Sequence, residues 1–225
     1  MLNIQNLDFS FPNKRIFKGL NVEINSGYVT GIVGKNGIGK TTFFRLLTGM
    51  YTPDKGSILH DGEKLIHQSI TIMSTEPYFY PYMTGEEYLN IVALDKNELK
   101  NSTSFCAAFE LPLEQMIDRY STGMRKKLAF SAIISQNKPI IILDEPYNGV
   151  DLEGNEIMKY IIHKTAHSKT ILLSSHVLST VTDVSEKVYY FGDKFEVLNY
   201  EKGDFSNLQK MLSDQMYNKI HLHSI

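Results

Sequence analysis

One cysteine in 225 residues, Cys106, excludes any disulfide within the chain and points to a reducing compartment. It stands in Phe105-Cys106-Ala107-Ala108-Phe109, which reads as a buried helix face, a commoner setting than a reactive thiol. No run approaches the roughly 18 consecutive apolar residues that crossing a bilayer requires. The longest candidates, such as residues 140–143, are strand-sized. Met1-Leu2-Asn3-Ile4 lacks a basic region followed by an apolar one, so no signal peptide is expected. Work at a membrane would therefore pass through a partner. A basic excess is missing too. The formal charge is −2, so no broad nucleic-acid face is expected, and only a local basic patch fits that total. There is no internal repeat and no low-complexity segment.

What is present is globular. A hydrophobic fraction of 42% with 21% charged residues suits a single soluble domain of ordinary to large size. Short β-like runs open the chain at 2–9, 20–24 and 28–33, the last a buried strand leading into a glycine-rich loop. A helix is predicted over about 40–47, then a turn at Thr52-Pro53-Asp54-Lys55-Gly56. A strand over 57–60 ends at Asp61-Gly62, a hairpin signal. Between Pro77 and Arg119 the β-patterns disappear and helix-like segments such as 85–93 replace them, which reads as an inserted helical subdomain over about 77–120. The alternation then returns: a helix from Ser121, a strand over 139–143, a helix after Leu152 and a strand over 170–174. Alternating strands and helices predict a mostly parallel sheet covered on both faces.

The expected organisation is a main unit over 1–192 and a strand–helix tail over 193–225. In the tail, Phe205, Leu208, Leu212, Met216 and Ile220 recur at steps of three and four. That gives one apolar face, expected to pack on its own domain before any partner.

Two segments carry chemistry. Gly34-Lys35-Asn36-Gly37-Ile38-Gly39-Lys40-Thr41 fits G-x-x-x-x-G-K-[ST] at every fixed position. Its glycines let successive N–H groups curl inward around a phosphate, and the helix starting at Lys40 adds its positive end. Lys40 supplies a point charge to the β- and γ-phosphates, and Thr41 a hydroxyl to Mg²⁺. A chance glycine turn is disfavoured because a buried strand precedes the loop and a helix follows it. The second segment, Ile140-Ile141-Ile142-Leu143-Asp144-Glu145-Pro146, puts two carboxylates at the C-terminal end of an apolar strand, where α/β sheets hold ligands. Asp144 suits the metal and Glu145 the attacking water as general base. An apolar run ending in Asp-Glu is weak alone; with the phosphate loop upstream it indicates a P-loop nucleotide hydrolase.

Further motifs narrow the family. Tyr120-Ser121-Thr122-Gly123-Met124 resembles the LSGGQ signature of ABC ATPases in its exporter-type form. Leu143-Asp144-Glu145-Pro146-Tyr147-Asn148-Gly149-Val150-Asp151 resembles that family's Walker B strand and D-loop, and Ser174-Ser175-His176 its H-loop. Phe11, in Phe9-Ser10-Phe11-Pro12, matches the aromatic that stacks on adenine. The likeness spans roughly residues 1–192 with the motifs in family order. It implies the ABC-ATPase form of the P-loop NTPase fold: a mostly parallel sheet core, an antiparallel β subdomain and an inserted helical subdomain. It also implies a head-to-tail dimer with two ATP molecules and Mg²⁺ between subunits, each phosphate held by one chain's loop and the other chain's signature. Carried over residue by residue, ATP would meet Phe11, Gly34, Lys35, Asn36, Gly37, Ile38, Gly39, Lys40, Thr41 and Thr42. Ser121, Gly123 and Asp151 would reach the nucleotide across the interface. Thr41, Asp144 and Thr75 would serve the metal, and Glu145, His176 and Lys40 the chemistry. Ser121 also suits a helix cap, whose free N–H groups favour an anion.

Three departures stand out. The family has a glutamine where this chain has Thr75 followed by Glu76, so either residue is open as its substitute, and slower or differently coupled hydrolysis is expected. Thr122 replaces a glycine, and the helical subdomain is short. The proline-bracketed run Pro77-Tyr78-Phe79-Tyr80-Pro81-Tyr82 falls where the family receives a coupling helix from a separate membrane permease; packing into the subdomain's own core accounts for some of these rings. His163 and His167 lie one helical turn apart with no third ligand evident, which reads as a solvated helix face, and His221 and His223 invite the same reading. The resemblance thus implies the ATPase subunit of an exporter, peripheral on the cytoplasmic face of the membrane. A soluble ABC ATPase acting on a macromolecular assembly is the rival, and a poorly hydrolysing regulatory subunit is a third reading that Asp144, Glu145 and His176 disfavour.

Overall fold

In the computed structural model, which describes residues 1–222, the first strand β1 (Leu2–Phe11) pairs antiparallel with β2 (Lys14–Ile24). β2 starts well before the expected 20–24. The apolar alternation that would have shown this is broken by a bulge where Gly19 faces Asp8, whose carboxylate accepts the Gly19 N–H at 2.6 Å. Ile16 and Phe17, ahead of the bulge, still turn into the core.

β3 (Val29–Gly34) is buried at every residue and leads through a loop into α1 (Lys40–Leu47). β4 (Lys55–His60) and β5 (Glu63–Lys64) form a hairpin across Asp61 and Gly62, both with positive φ, as a two-residue turn requires. Next come β6 (Ile70–Met73), α2 (Gly85–Val92) and α3 (Lys96–Ala108), then α4 (Thr122–Ser135), β7 (Ile140–Asp144) and α5 (Leu152–Ala166). β8 (Thr170–Ser175), α6 (Leu178–Thr182), β9 (Lys187–Phe191), β10 (Val197–Glu201) and α7 (Phe205–Leu222) complete the described chain.

Two sheets result. The antiparallel one has the order β2-β1-β4-β5, and the larger one β10-β9-β3-β8-β7-β6, with every pairing parallel except β10 on β9. The fold is therefore α/β with a mixed, mostly parallel sheet. Its apolar strands serve two cores because side chains alternate across a strand. In β7, Ile140 and Ile142 join the core shared with α1 and the antiparallel sheet. Ile141 and Leu143 join the core shared with α2, α3 and α4. Cys106 is fully buried there, and burial pushes its thiol up to about 11, as an inert side chain requires.

The expected boundary near Gly192 lies in the turn between β9 and β10, so the tail's strand is an edge of the main sheet. Leu208 is fully buried beside β9's core, with Phe205 and Leu212 packed against it. The side chains of Met216, Ile220 and His221 lie outside what is described, as does His223.

Candidate functional site

Parallel pairing brings the C-terminal ends of β3, β8, β7 and β6 together on one edge of the sheet, and each end carries polar residues. β3 ends in the phosphate-type loop, β7 in Asp144 and Glu145, β8 in Ser174 and Ser175 before His176, and β6 leads to Thr75. A cleft of about 380 Å³ opens there, lined by Phe11, Asn36, Gly37, Gly39, Lys40, Thr41 and Thr42 together with Thr75, Asp144 and Glu145.

The loop's geometry follows from its glycines and from the helix behind it. Gly39 has a φ of 121°, and a Cβ there would come within 2.6 Å of the Ile16 side chain, so any other residue would be strained and would push that side chain aside. The first turns of α2, α3, α4 and α5 are capped by the side chains of Thr84, Asp95, Ser121 and Asp151. α1 has no side-chain cap and no acidic residue in its first turn. Lys40, Thr41 and Thr42 of its uncapped first turn line the cleft, an arrangement suited to an anion. Lys40 is buried, and its Nζ donates to the carbonyls of Gly34 at 2.8 Å and Lys35 at 3.3 Å. Burial lowers its pKa, opposed by the charges of Glu145 and Asp144. The side chain of Lys35 turns away to pair with Asp193, and Ile38 packs on the core beneath the loop.

Asp144 is the hub of the oxygen cluster. Its Oδ2 accepts the hydroxyls of Thr41 at 2.7 Å and Thr75 at 2.9 Å, and its Oδ1 accepts Ser174 at 2.5 Å. This set of hard oxygen donors, converging on one nearly buried carboxylate, is chemically suited to Mg²⁺. Thr75, not the exposed Glu76, occupies the position next to Asp144.

Glu145 follows directly in the left-handed region at φ 53°, a conformation that costs an L residue about 1–2 kcal/mol. Bonds on every side hold it. Its N–H donates to Ser174 Oγ at 3.1 Å, its carbonyl accepts Lys126 Nζ at 3.0 Å, and its Oε2 meets His176 Nδ1 at 2.8 Å and the His176 N–H at 3.2 Å.

Six of the residues expected at a nucleotide do not line this cleft: Gly34, Lys35 and Ile38 of the loop, and Ser121, Gly123 and Asp151, which lie on other elements. Ser121 Oγ accepts the Met124 N–H at 3.2 Å at the start of α4. A Cβ on Gly123 would come within 2.7 Å of the Gly149 carbonyl, so this segment packs closely on the loop after β7. Asp151 accepts the Gly154 N–H at 2.8 Å and Lys127 Nζ at 2.9 Å. The Lys127 bond first, then the Gly154 amide, holds its carboxyl below the usual range. His163 and His167 are exposed on and just beyond α5, and among the described residues no group of three or more His, Cys, Asp or Glu side chains is placed to hold a metal ion.

Sequence reasoning missed Ser174 as a partner of the Asp144 carboxylate and the Glu145 N–H, Lys126 behind Glu145, and Lys14, whose Nζ donates to the Gly37 carbonyl at 3.4 Å. The signal for Lys126 was its place one turn before Phe130, on the side of α4 that the helical period buries. Ser174 faces inward on β8, level with Asp144 on its neighbour.

Comparison with known proteins adds the family. The family model described as ABC transporter matches residues 17–148. The chain is 28% identical over 227 residues to the lantibiotic transport ATP-binding protein SrtF of Streptococcus pyogenes, covering 96% of this chain and 97% of that one. It is 29% identical over 206 residues to the SkfA peptide export ATP-binding protein SkfE of Bacillus subtilis, covering 86% of each. Among solved structures, a dimeric ATP-binding cassette in a post-hydrolysis state, bound to ADP and Pi, superposes with a TM-score of 0.78 at 19% identity, over 90% of this chain and 99% of that one.

Proposed function

The chain belongs to the ABC transporter family, and from that premise we propose that it is the ATP-binding and ATP-hydrolysing subunit of a membrane exporter. The observation that carries the reading is the cleft itself, where a free helix N-terminus, Lys40, the Asp144 oxygen cluster and the Glu145–His176 pair converge. Phe11 would stack on the base, and the loop 34–39 with Lys40, Thr41 and Thr42 would hold the phosphates. Thr41, Asp144 and Thr75 would hold Mg²⁺, which when bound draws charge from the phosphate oxygens. Glu145 would take a proton from water as its oxygen attacks the γ-phosphorus and the bond to the β-phosphate oxygen breaks, releasing ADP and phosphate. His176, bonded to the Glu145 carboxylate, would orient that pair.

The separation of Ser121, Gly123 and Asp151 from the cleft supports a head-to-tail dimer, since each chain then completes its partner's site. Capped by Ser121, the first turn of α4 would meet the γ-phosphate of the nucleotide held by the other subunit. Membership of the ABC transporter family makes a membrane permease the proposed partner. Tyr78, Tyr80 and Tyr82 are 73%, 59% and 81% exposed, while Phe79 turns inward onto Tyr88 at 4.8 Å. Exposed rings of this kind suit an interface. Among the described residues no helix is long and apolar enough to cross a membrane. In the proposed exporter this chain would sit on the cytoplasmic side of its permease.

Capture tests the whole reading. Tagged chain carrying Glu145→Gln, drawn from gently solubilised membranes with ATP, is expected to bring down a multi-span membrane protein. Adding Tyr80→Ala and Tyr82→Ala is expected to release that protein while ATP binding persists. Recovery with ribosomes or an assembly complex instead would replace the exporter with a soluble ABC ATPase.

Thr75 offers a narrower test. Losing one hydroxyl from the Asp144 cluster in Thr75→Val should cost about 1 kcal/mol, roughly fivefold in turnover. Thr75→Gln should change turnover in the same assay, because a longer amide replaces a direct bond to Asp144. Wild-type rates in both variants would remove Thr75 from the site.

A further inference from the structure

Lys126 takes part in none of the steps above, yet its ammonium lies beside the residues that do. It is 4% exposed, an unusual setting for lysine unless its charge is matched. Its Nζ donates to the carbonyl oxygen of Glu145 at 3.0 Å. Burial lowers its pKa, opposed by the carboxylates of Asp144, Glu145 and Glu76. These groups come from the end of β7 and from the segment after β6, so α4 presses a buried cation into the junction between them.

The Glu145 backbone gives that contact its meaning. A glutamate at φ 53° returns to the extended or helical basin unless its surroundings prevent it. Its N–H is fixed by Ser174 on β8 and its carbonyl by Lys126 on α4, so the two peptide groups around its Cα are held from opposite elements. The side chain then emerges toward His176.

We infer that Lys126 is a positioning residue for hydrolysis: by holding the Glu145 carbonyl, it keeps that residue in the conformation that presents its carboxylate to His176 and the cleft. The inference rests on the proposed role of Glu145. It also gives α4 a direct route to the base, because the helix capped by Ser121 carries the lysine that grips Glu145. The neighbouring Lys127–Asp151 pair ties the same helix to the start of α5. A displacement of α4 by whatever meets its N-terminus is thereby passed to Glu145.

The test compares Lys126→Met and Lys126→Arg with the parent chain, reading kcat, KM for ATP and the affinity for a fluorescent ATP analogue. Lys126→Met should lower kcat by about 10- to 100-fold with analogue affinity within about threefold, as expected for loss of a supporting residue behind a reacting group. Lys126→Arg, which keeps charge and donors, should fall between the two. If kcat of Lys126→Met stays within about twofold of the parent, or if kcat and affinity decline in parallel, the inference fails. Should Lys126→Met lose its cooperative unfolding transition, Lys126→Gln takes its place under the same outcomes. Glu145→Gln run alongside separates the two ideas: wild-type turnover there would overturn the role of Glu145 itself, whereas a strongly slowed Glu145→Gln beside a Lys126→Met at the parent rate would overturn only this step.

Discussion

Glu145→Gln is expected to lower steady-state ATP turnover by roughly 10²- to 10⁴-fold, the usual contribution of a positioned general base. Glutamine keeps the shape of the side chain and an oxygen able to face His176, and it leaves the backbone bonds to Ser174 and Lys126 in place. What it removes is the capacity to accept a proton from water. The surroundings of Lys40, Thr41 and Asp144 are untouched, so ATP should still bind with little change in affinity. Under the proposed dimer, the variant should accumulate in the ATP-closed form, seen as a doubled mass in size-exclusion chromatography with ATP and a return to monomer without it. Near-normal turnover would move the base elsewhere. Low turnover with lost ATP affinity would mean that Glu145 supports the site's structure and does not act on water.

The parts of the site that could be read from the sequence are those whose chemistry is local. Gly39, Lys40 and Thr41 are adjacent, and their roles follow from a loop and the helix it starts; α1 runs over Lys40–Leu47 as the pattern predicts. The strand before Asp144 was legible because four consecutive apolar residues suit a strand covered on both faces, and β7 is buried along its whole length. Long-range geometry was less legible. Whether Thr75 or Glu76 faces Asp144 depends on where β6 stops, and β6 ends at Met73, which turns Thr75 inward. Lys126 was hidden by composition, since Thr122-Gly123-Met124-Arg125-Lys126-Lys127 is rich in polar residues and only the helical spacing from Phe130 signals that it is buried. The early start of β2 was hidden by its bulge at Gly19, which breaks the period of two that marks a strand. In the tail, β10 is short and half-polar, and only its pairing with β9 shows that it extends the main sheet.

Lys40→Met tests binding where Glu145→Gln tests chemistry, and its effect should appear in the nucleotide and not in the fold. The ammonium of Lys40 is buried at the mouth of α1, where burial disfavours its charge and the charges of Glu145 and Asp144 oppose that cost. Removing it leaves the Gly34 and Lys35 carbonyls short of a donor, while the stem volume is kept by methionine. Those two effects oppose each other, so the ligand-free unfolding midpoint should change little. With the native pKa of Lys40 below its unfolded value, the unfolded chain binds more protons, so this lysine makes stability rise with pH on the alkaline side; the methionine variant should lose that slope. ATP should separate the two proteins sharply. At ATP about 100 times the dissociation constant, the parent gains ~2.7 kcal/mol of stability. For a chain of this size each kcal/mol moves the midpoint by roughly 2–4 °C, so the parent should shift by several degrees. Loss of one partner of a buried charge pair typically costs about 2–5 kcal/mol of binding, enough to remove most of that shift at the same ATP concentration. An ATP-induced shift in Lys40→Met equal to the parent's would mean that the loop binds nucleotide through its backbone alone, and the role assigned to Lys40 would be withdrawn.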